Sequence, residues 1–169
     1  MSVVYGPDFF RTIRAGAQAS AAVVAPLVHQ FFQPATVIDV GCGEGWWAQA
    51  FAGLGCDVLG VDGPGTSSTL GDRFIPRNLE DPLGIPGEFD LAVSLEVAEH
   101  LDPSRAASFV HDLCALAPVV LFSAAVPGQG GTHHVNEQWP GYWQDLFAVE
   151  GYLMSGALRW LIWNDDRVE

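Results

Sequence analysis

Lysine is absent from this chain of 169 residues, and its seven arginines face 20 aspartates and glutamates, a formal net charge of −13. Nucleic-acid affinity rests on clustered Lys and Arg neutralising phosphates. A field of this sign repels tRNA and DNA, and the scattered arginines make no compensating patch. Cysteine is scarce as well. Cys42, Cys56 and Cys114 cannot all pair, and none sits in a C-x-x-C spacing, which excludes a disulfide framework and the usual zinc and redox motifs. Reduced, structural thiols are expected. No uninterrupted apolar stretch reaches the length of a membrane span, since Ala15–Val28 is broken by Gly16, Gln18, Ser20 and Pro26. The start of the chain lacks the layout of a secretory leader, so a cytoplasmic location is expected. Charged residues are only 16% of the chain and hydrophobic residues 49%, which suits one well-buried α/β core and argues against disorder.

The pattern along the chain predicts alternating strands and helices. A helical segment opens at Pro7 and Asp8 and reaches Phe32, with a bend expected at Pro26. Apolar runs at Thr36–Val40, Asp57–Val61, Phe89–Leu95 and Val119–Ala125 read as buried strands, with a shorter one around Arg73–Arg77. Helices are expected at Trp46–Leu54, after the Asp102-Pro103 cap to about Ala117, and at Trp139–Glu150. The stretch Tyr152–Trp163 is expected to be a last strand. Nearly all-apolar strands alternating with helices indicate a parallel sheet covered on both faces. Ligands bind such sheets beyond the carboxyl ends of the strands, and the unusual polar residues fall there: Asp39–Gly45, Asp62, Asn78–Leu79, Leu95–His100 and Ala125–Trp139.

The run Val37-Ile38-Asp39-Val40-Gly41-Cys42-Gly43-Glu44-Gly45 carries the strongest signal. Three glycines allow a tight turn and a close approach of backbone to ligand. A dinucleotide turn needs G-x-G-x-x-G and room for a pyrophosphate, but here the third glycine comes one residue early and Trp46 follows. An acidic Asp39 before the turn suits a cationic ligand, and Asp62 at the end of the next strand is placed to accept ribose hydroxyls. Both features favour S-adenosylmethionine.

This run resembles the first motif of class I S-adenosylmethionine-dependent methyltransferases, and the resemblance continues from about Thr36 to Trp143. Gly60-Val61-Asp62 resembles the ribose-binding end of the second strand. Asn78-Leu79 stands where the family usually has an Asp-hydrophobic pair at the adenine. Ser94-Leu95-Glu96-Val97-Ala98-Glu99-His100-Leu101 is close to the E-V-x-E-H form of ubiquinone-type O-methyltransferases. The string from Phe122 to Trp139, with His133-His134-Val135-Asn136-Glu137-Gln138, resembles a narrower group of bacterial methyltransferase domains, many associated with secondary metabolism or glycans.

The resemblance implies a Rossmann-like, doubly wound α/β fold with a mainly parallel sheet. It implies one methyltransferase domain: a helical segment 1–35, a cofactor-binding core 36–125, and a substrate-side loop, helix and strand 126–169. Asp39, Gly41 and Gly43 are then expected at the methionine part of the cofactor, Gly45 in the same cofactor-binding turn, Asp62 at the ribose, Asn78 and Leu79 at the adenine, and Glu96 beside the methionine. The expected reaction is methyl transfer from S-adenosylmethionine to a small-molecule hydroxyl, with N- or C-methylation or an inactive cofactor-binding module as alternatives. A hydroxyl acceptor calls for a base, for which His134, His100 and His133 are the candidates, with His134 favoured over its neighbour His133 and either His134 or His100 expected to serve. Glu96, Glu99 and His100 could together take a divalent metal, but none is assigned. Partners are expected to be a small-molecule substrate, with no nucleic acid and no membrane. Only 18 residues follow Gly151, so a shortened C-terminal sheet edge is expected, and an unpaired edge invites a homodimer.

Overall fold

The computed structural model describes residues 7–168, with side chains described from Arg14 onward. Five strands, β1 (Thr36–Val40), β2 (Asp57–Asp62), β3 (Phe74–Pro76), β4 (Leu91–Leu95) and β5 (Val120–Ser123), form one sheet in the order β3-β2-β1-β4-β5. Every pairing is parallel. The chain winds outward from β1 to β3, then returns to place β4 on the other side of β1. The crevice at that reversal, outside the carboxyl ends of β1 and β4, is where doubly wound sheets bind ligands.

Helices α1 (Pro7–Phe32) and α2 (Trp46–Gly53) cover one face, and α3 (Ala106–Leu116) and α4 (Pro140–Val149) the other. On α1, Ala21, Val24, Ala25 and Val28 are buried at helical spacing, so one stripe packs down while the helix runs on through Pro26. On α3 the stripe is Ala106, Phe109, Val110, Leu113 and Leu116. Strand periodicity assigns β1 side chains to faces: Val37 joins the α1/α2 core, while Ile38 and Val40 join the α3/α4 core. Asp39 shares the parity of Val37 and so points under α2, where its Oδ2 accepts a hydrogen bond from the Ala48 N–H at 3.2 Å. The sheet thus buries a carboxyl group beneath the glycine turn.

Asp102 caps a short 3₁₀ turn, Pro103–Arg105, through its Oδ1 and the Ser104 N–H (2.9 Å), and this turn leads directly into α3. The expected last strand at Tyr152–Trp163 is not formed: Ala157–Ile162 is a helix, α5. Leu158 and Ile162, one turn apart, pack on the α1/α2 core, while Trp160 and Trp163 stay exposed. A short apolar run cannot distinguish the two periods by composition, and here the i, i+4 pair decides. Strands β3 and β5 are the two edges of the sheet. Among the described residues no helix is long and apolar enough to cross a membrane.

Candidate active site at the carboxyl ends of the strands

The glycine turn is shaped first by the chain's own packing. Gly41, Gly43 and Gly45 all have positive φ, of 82°, 53° and 94°. A Cβ on Gly41 would lie 2.3 Å from a methyl of Val97, and one on Gly45 would lie 2.7 Å from Leu70. Those two glycines are therefore demanded by neighbouring side chains as well as by backbone conformation. The Asp62 carboxylate ties the turn to the end of β2: Oδ2 accepts from the Gly43 N–H at 2.6 Å, and Oδ1 from the Gly63 N–H at 2.6 Å and the Thr66 hydroxyl at 3.1 Å. Asp39 lies beneath, and burial pushes its carboxyl up to about 7 despite the opposing Ala48 N–H, with the nearby Asp62 charge adding to the rise. Glu44 faces outward, where the Arg14 guanidinium of α1 grips both its oxygens (2.8 and 2.5 Å) and the Trp46 indole N–H donates at 3.0 Å. Arg14 holds the Glu44 carboxyl below its ordinary value.

Asn78 and Leu79 lie in the turn beyond β3. The Asn78 side chain closes that turn on itself, its Nδ2 donating to Asp81 at 2.9 Å and its Oδ1 accepting from the Glu80 N–H at 3.3 Å, while Leu79 is buried in the core. The turn is held by Arg105, which is 5% exposed and donates to the carbonyls of Leu79 and Asp81 (3.0 Å each) and to Asp112 Oδ2 at 2.5 Å.

Beyond β4 the backbone enters the left-handed region at Glu96, with φ of 55°. Its carboxylate turns toward the end of β5, accepting from the Ser123 hydroxyl at 2.7 Å and the Gln129 side-chain amide at 3.3 Å. Glu99 is fully buried, and among the described residues neither carboxylate oxygen has a hydrogen-bond partner. Burial first, then the Glu96 charge, pushes it up to about 8. The Glu99 carbonyl accepts from the N–H groups of Val135 and Asn136 (2.9 Å each), so the loop after β5 is fastened to the turn after β4. That fastening carries His134 over His100: the rings meet edge to face with centroids 4.8 Å apart. His100 Nδ1 lies 3.4 Å from the His133 carbonyl. Burial, and then the neighbouring His134, holds the His100 ring below the ordinary imidazole value.

The structure brings the candidate residues into two groups at one edge of the sheet. Asp39, the glycines and Asp62 stand at β1 and β2, and Glu96, Glu99, His100 and His134 at β4 and β5. His133 is exposed with φ of 61°, and its carbonyl is the part that meets His100. One ligating atom each from Glu99, His100 and His134 lies within 4.8 Å of the others, so among the described residues this trio could hold a cation. His134 stands where the sequence suggested Glu96. Arg14 and Arg105 sit in no motif, and Ser123 and Gln129, though within the Phe122–Trp139 string, carry no mark of their own; each reaches a partner distant in the chain.

Residues 13–162 match a family model described as a methyltransferase domain. The chain belongs to this methyltransferase domain family. Curated relatives include the ubiquinone biosynthesis O-methyltransferase of Methylobacterium sp. (strain 4-46), 34% identical over 101 residues (53% of this chain, 40% of that protein). The protein of the same name from Methylococcus capsulatus is 34% identical over 120 residues (59% of this chain, 50% of that protein). The chain thus spans half or less of the length of these relatives. Among solved structures, magnesium protoporphyrin IX methyltransferase from Synechocystis PCC 6803 with bound SAH has a TM-score of 0.63 at 22% identity, covering 90% of this chain and 82% of that one. Human N-acetylserotonin methyltransferase in complex with SAM has a TM-score of 0.59 at 14% identity, covering 83% and 47%. The shared fold is the Rossmann-like sheet.

Proposed function

We propose that the chain transfers a methyl group from S-adenosylmethionine to a hydroxyl of a small molecule, with His134 as the proton acceptor. The observation that carries this reading is the pairing of a glycine turn flanked by Asp39 and Asp62 with a His134–His100 pair at the same end of the sheet. The residues fit the cofactor. Asp39 is a buried carboxyl whose ionisation a cationic ammonium would favour, Asp62 keeps acceptor capacity for ribose hydroxyls, and Asn78 and Leu79 stand at the strand end next to Asp62. The bound cofactor supplies an electrophilic methyl group on a sulfonium sulfur. His134 would take the proton of the acceptor hydroxyl, leaving its oxygen free to accept the methyl group that the cofactor, held by the turn and Asp62, would supply. Holding oxygen and methyl in line supplies most of the acceleration.

The test is to incubate the full chain with methyl-deuterated S-adenosylmethionine and a panel of neutral phenols and polyols. Label on an oxygen of the product supports the reading. Label on nitrogen or carbon, or cofactor bound and never consumed, overturns it.

Asp39 gives a prediction of its own. With its carboxyl raised to about 7, the free protein holds this proton below neutral pH and a bound ammonium would expel it. Affinity should therefore rise as pH increases through about 7. Calorimetry near pH 6 in two buffers of different ionisation heat should show release of up to about one proton. Little release is expected near pH 9 or in Asp39→Asn. No proton release near pH 6 would place the ammonium elsewhere.

The charge of −13 also predicts that neither tRNA nor duplex DNA binds at physiological salt. A salt-dependent mobility shift at micromolar protein would contradict this.

A further inference from the structure

One carboxylate organises both the glycine-rich loop after β5 and the ring of His134. Glu137 Oε1 lies 3.0 Å from His134 Nδ1. Its Oε2 accepts from the Gly128 N–H at 2.8 Å, and Oε1 accepts also from the Gly130 N–H at 3.0 Å. Three donors thus converge on a side chain that is 21% exposed, against a ring that is 12% exposed. With two backbone N–H groups already donating to its oxygens, the Glu137 carboxylate is set up as an acceptor. On the opposite edge a Cβ on Gly131 would run into Nε2 and Cε1, so glycine at this position keeps that edge clear of a side chain. The loop therefore leaves out a side chain where the ring's Nε2 edge lies.

We propose that Glu137 is a positioning residue that fixes His134 as the Nδ1–H tautomer and so presents Nε2 as the bare, proton-accepting nitrogen. A carboxylate beside Nδ1 can receive only a donated hydrogen, so in the neutral ring the proton must lie on Nδ1. When Nε2 takes a proton from an acceptor hydroxyl, the resulting imidazolium already has its counter-charge at Nδ1, and the proton later leaves Nε2 for solvent. Because the same carboxylate ties the amides of Gly128 and Gly130, the path of the loop and the orientation of the ring are set by one side chain. Gly131 is part of this device: any side chain there would push the ring off its seat.

The value of this arrangement for catalysis rests on His134 being the proton acceptor, but the tautomer can be read without turnover. Imidazole ¹⁵N spectra of the full chain, followed across pH and read for the neutral form of the ring, should show His134 protonated at Nδ1 and bare at Nε2. In Glu137→Ala the ring should relax toward the tautomer mixture of a free imidazole, whereas Glu137→Gln, which keeps an acceptor oxygen, should retain the Nδ1–H form. Gly131→Ala should move the His134 signals without changing the Glu137 carboxylate. With an acceptor in hand, Glu137→Ala should lower kcat at least tenfold with little change in KM. A wild-type spectrum with Nδ1 bare overturns the proposal at once, without any variant having to fold. A Glu137→Ala protein that keeps the full Nδ1–H form also overturns it. Should the tautomer behave as stated while His134→Ala turns over normally, the positioning stands and the assignment of the proton acceptor falls.

Discussion

Replacing His134 by alanine is expected to slow methyl transfer to a hydroxyl by about 10²–10⁴, or roughly 3–5 kcal/mol of transition-state stabilisation. The acidic limb of the pH profile should vanish with it. That limb arises because a protonated imidazole cannot accept the hydroxyl proton, so turnover falls as the accepting ring becomes charged. The second imidazole of the pair is distinguishable by position. His100 is held below the ordinary imidazole value by burial and by His134. The groups facing it are His134, the His133 carbonyl and Glu96. Single-turnover rates of His134→Ala and His100→Ala across pH make the comparison. His100→Ala should lose only a few-fold, through looser packing of the His134 ring. If His134→Ala also loses only a few-fold and keeps its acidic limb, another group accepts the proton.

The second large effect is structural and concerns the turn at Asn78. Arg105→Ala should lower the stability of the chain by about 2–4 kcal/mol, because it removes a buried guanidinium and leaves its partners without a donor. Those partners are the carbonyls of Leu79 and Asp81, the Ser108 hydroxyl and the Asp112 carboxylate, and the Arg105 side chain also lies over the Phe109 ring at 5.5 Å. Asp112 is 18% exposed and accepts in addition from the Leu83 N–H, so part of its charge remains solvated and the upper end of the range is reserved for lost packing. Urea unfolding monitored by tryptophan fluorescence measures the change. Cofactor affinity should fall as well, since the turn carrying Asn78 and Leu79 loses its anchor. A loss below about 0.5 kcal/mol would show that the guanidinium is dispensable.

What could be read from the sequence was local. The β1 run, the glycines at 41, 43 and 45, Asp62 at the end of β2 and the Asp102-Pro103 cap each depend on residues within a few positions, and the structure follows each of them. The stretch ending at Trp163 was misread because an apolar run of that length satisfies both periods, and only the burial of Leu158 and Ile162 on the α1/α2 core selects the helix. The side-chain partners were out of reach for a different reason. Arg14 meets Glu44 across 30 positions and Arg105 meets the Leu79 carbonyl across 26, and no local pattern encodes such contacts. Even the His134–Glu137 pair, three positions apart, lies in an irregular loop where spacing does not determine proximity.

The central claim is that the turn from Asp39 to Gly45, with Asp62, binds S-adenosylmethionine. Isothermal titration of the full chain with S-adenosylmethionine, S-adenosylhomocysteine and NADH tests it most directly. The account predicts micromolar binding of the first two, no binding of NADH, and a loss of about 1–3 kcal/mol for both in Asp62→Ala, the cost of leaving ribose hydroxyls without their acceptor. Binding of NADH in place of the methyl donor, or equal affinity in wild type and a folded Asp62→Ala, would contradict it.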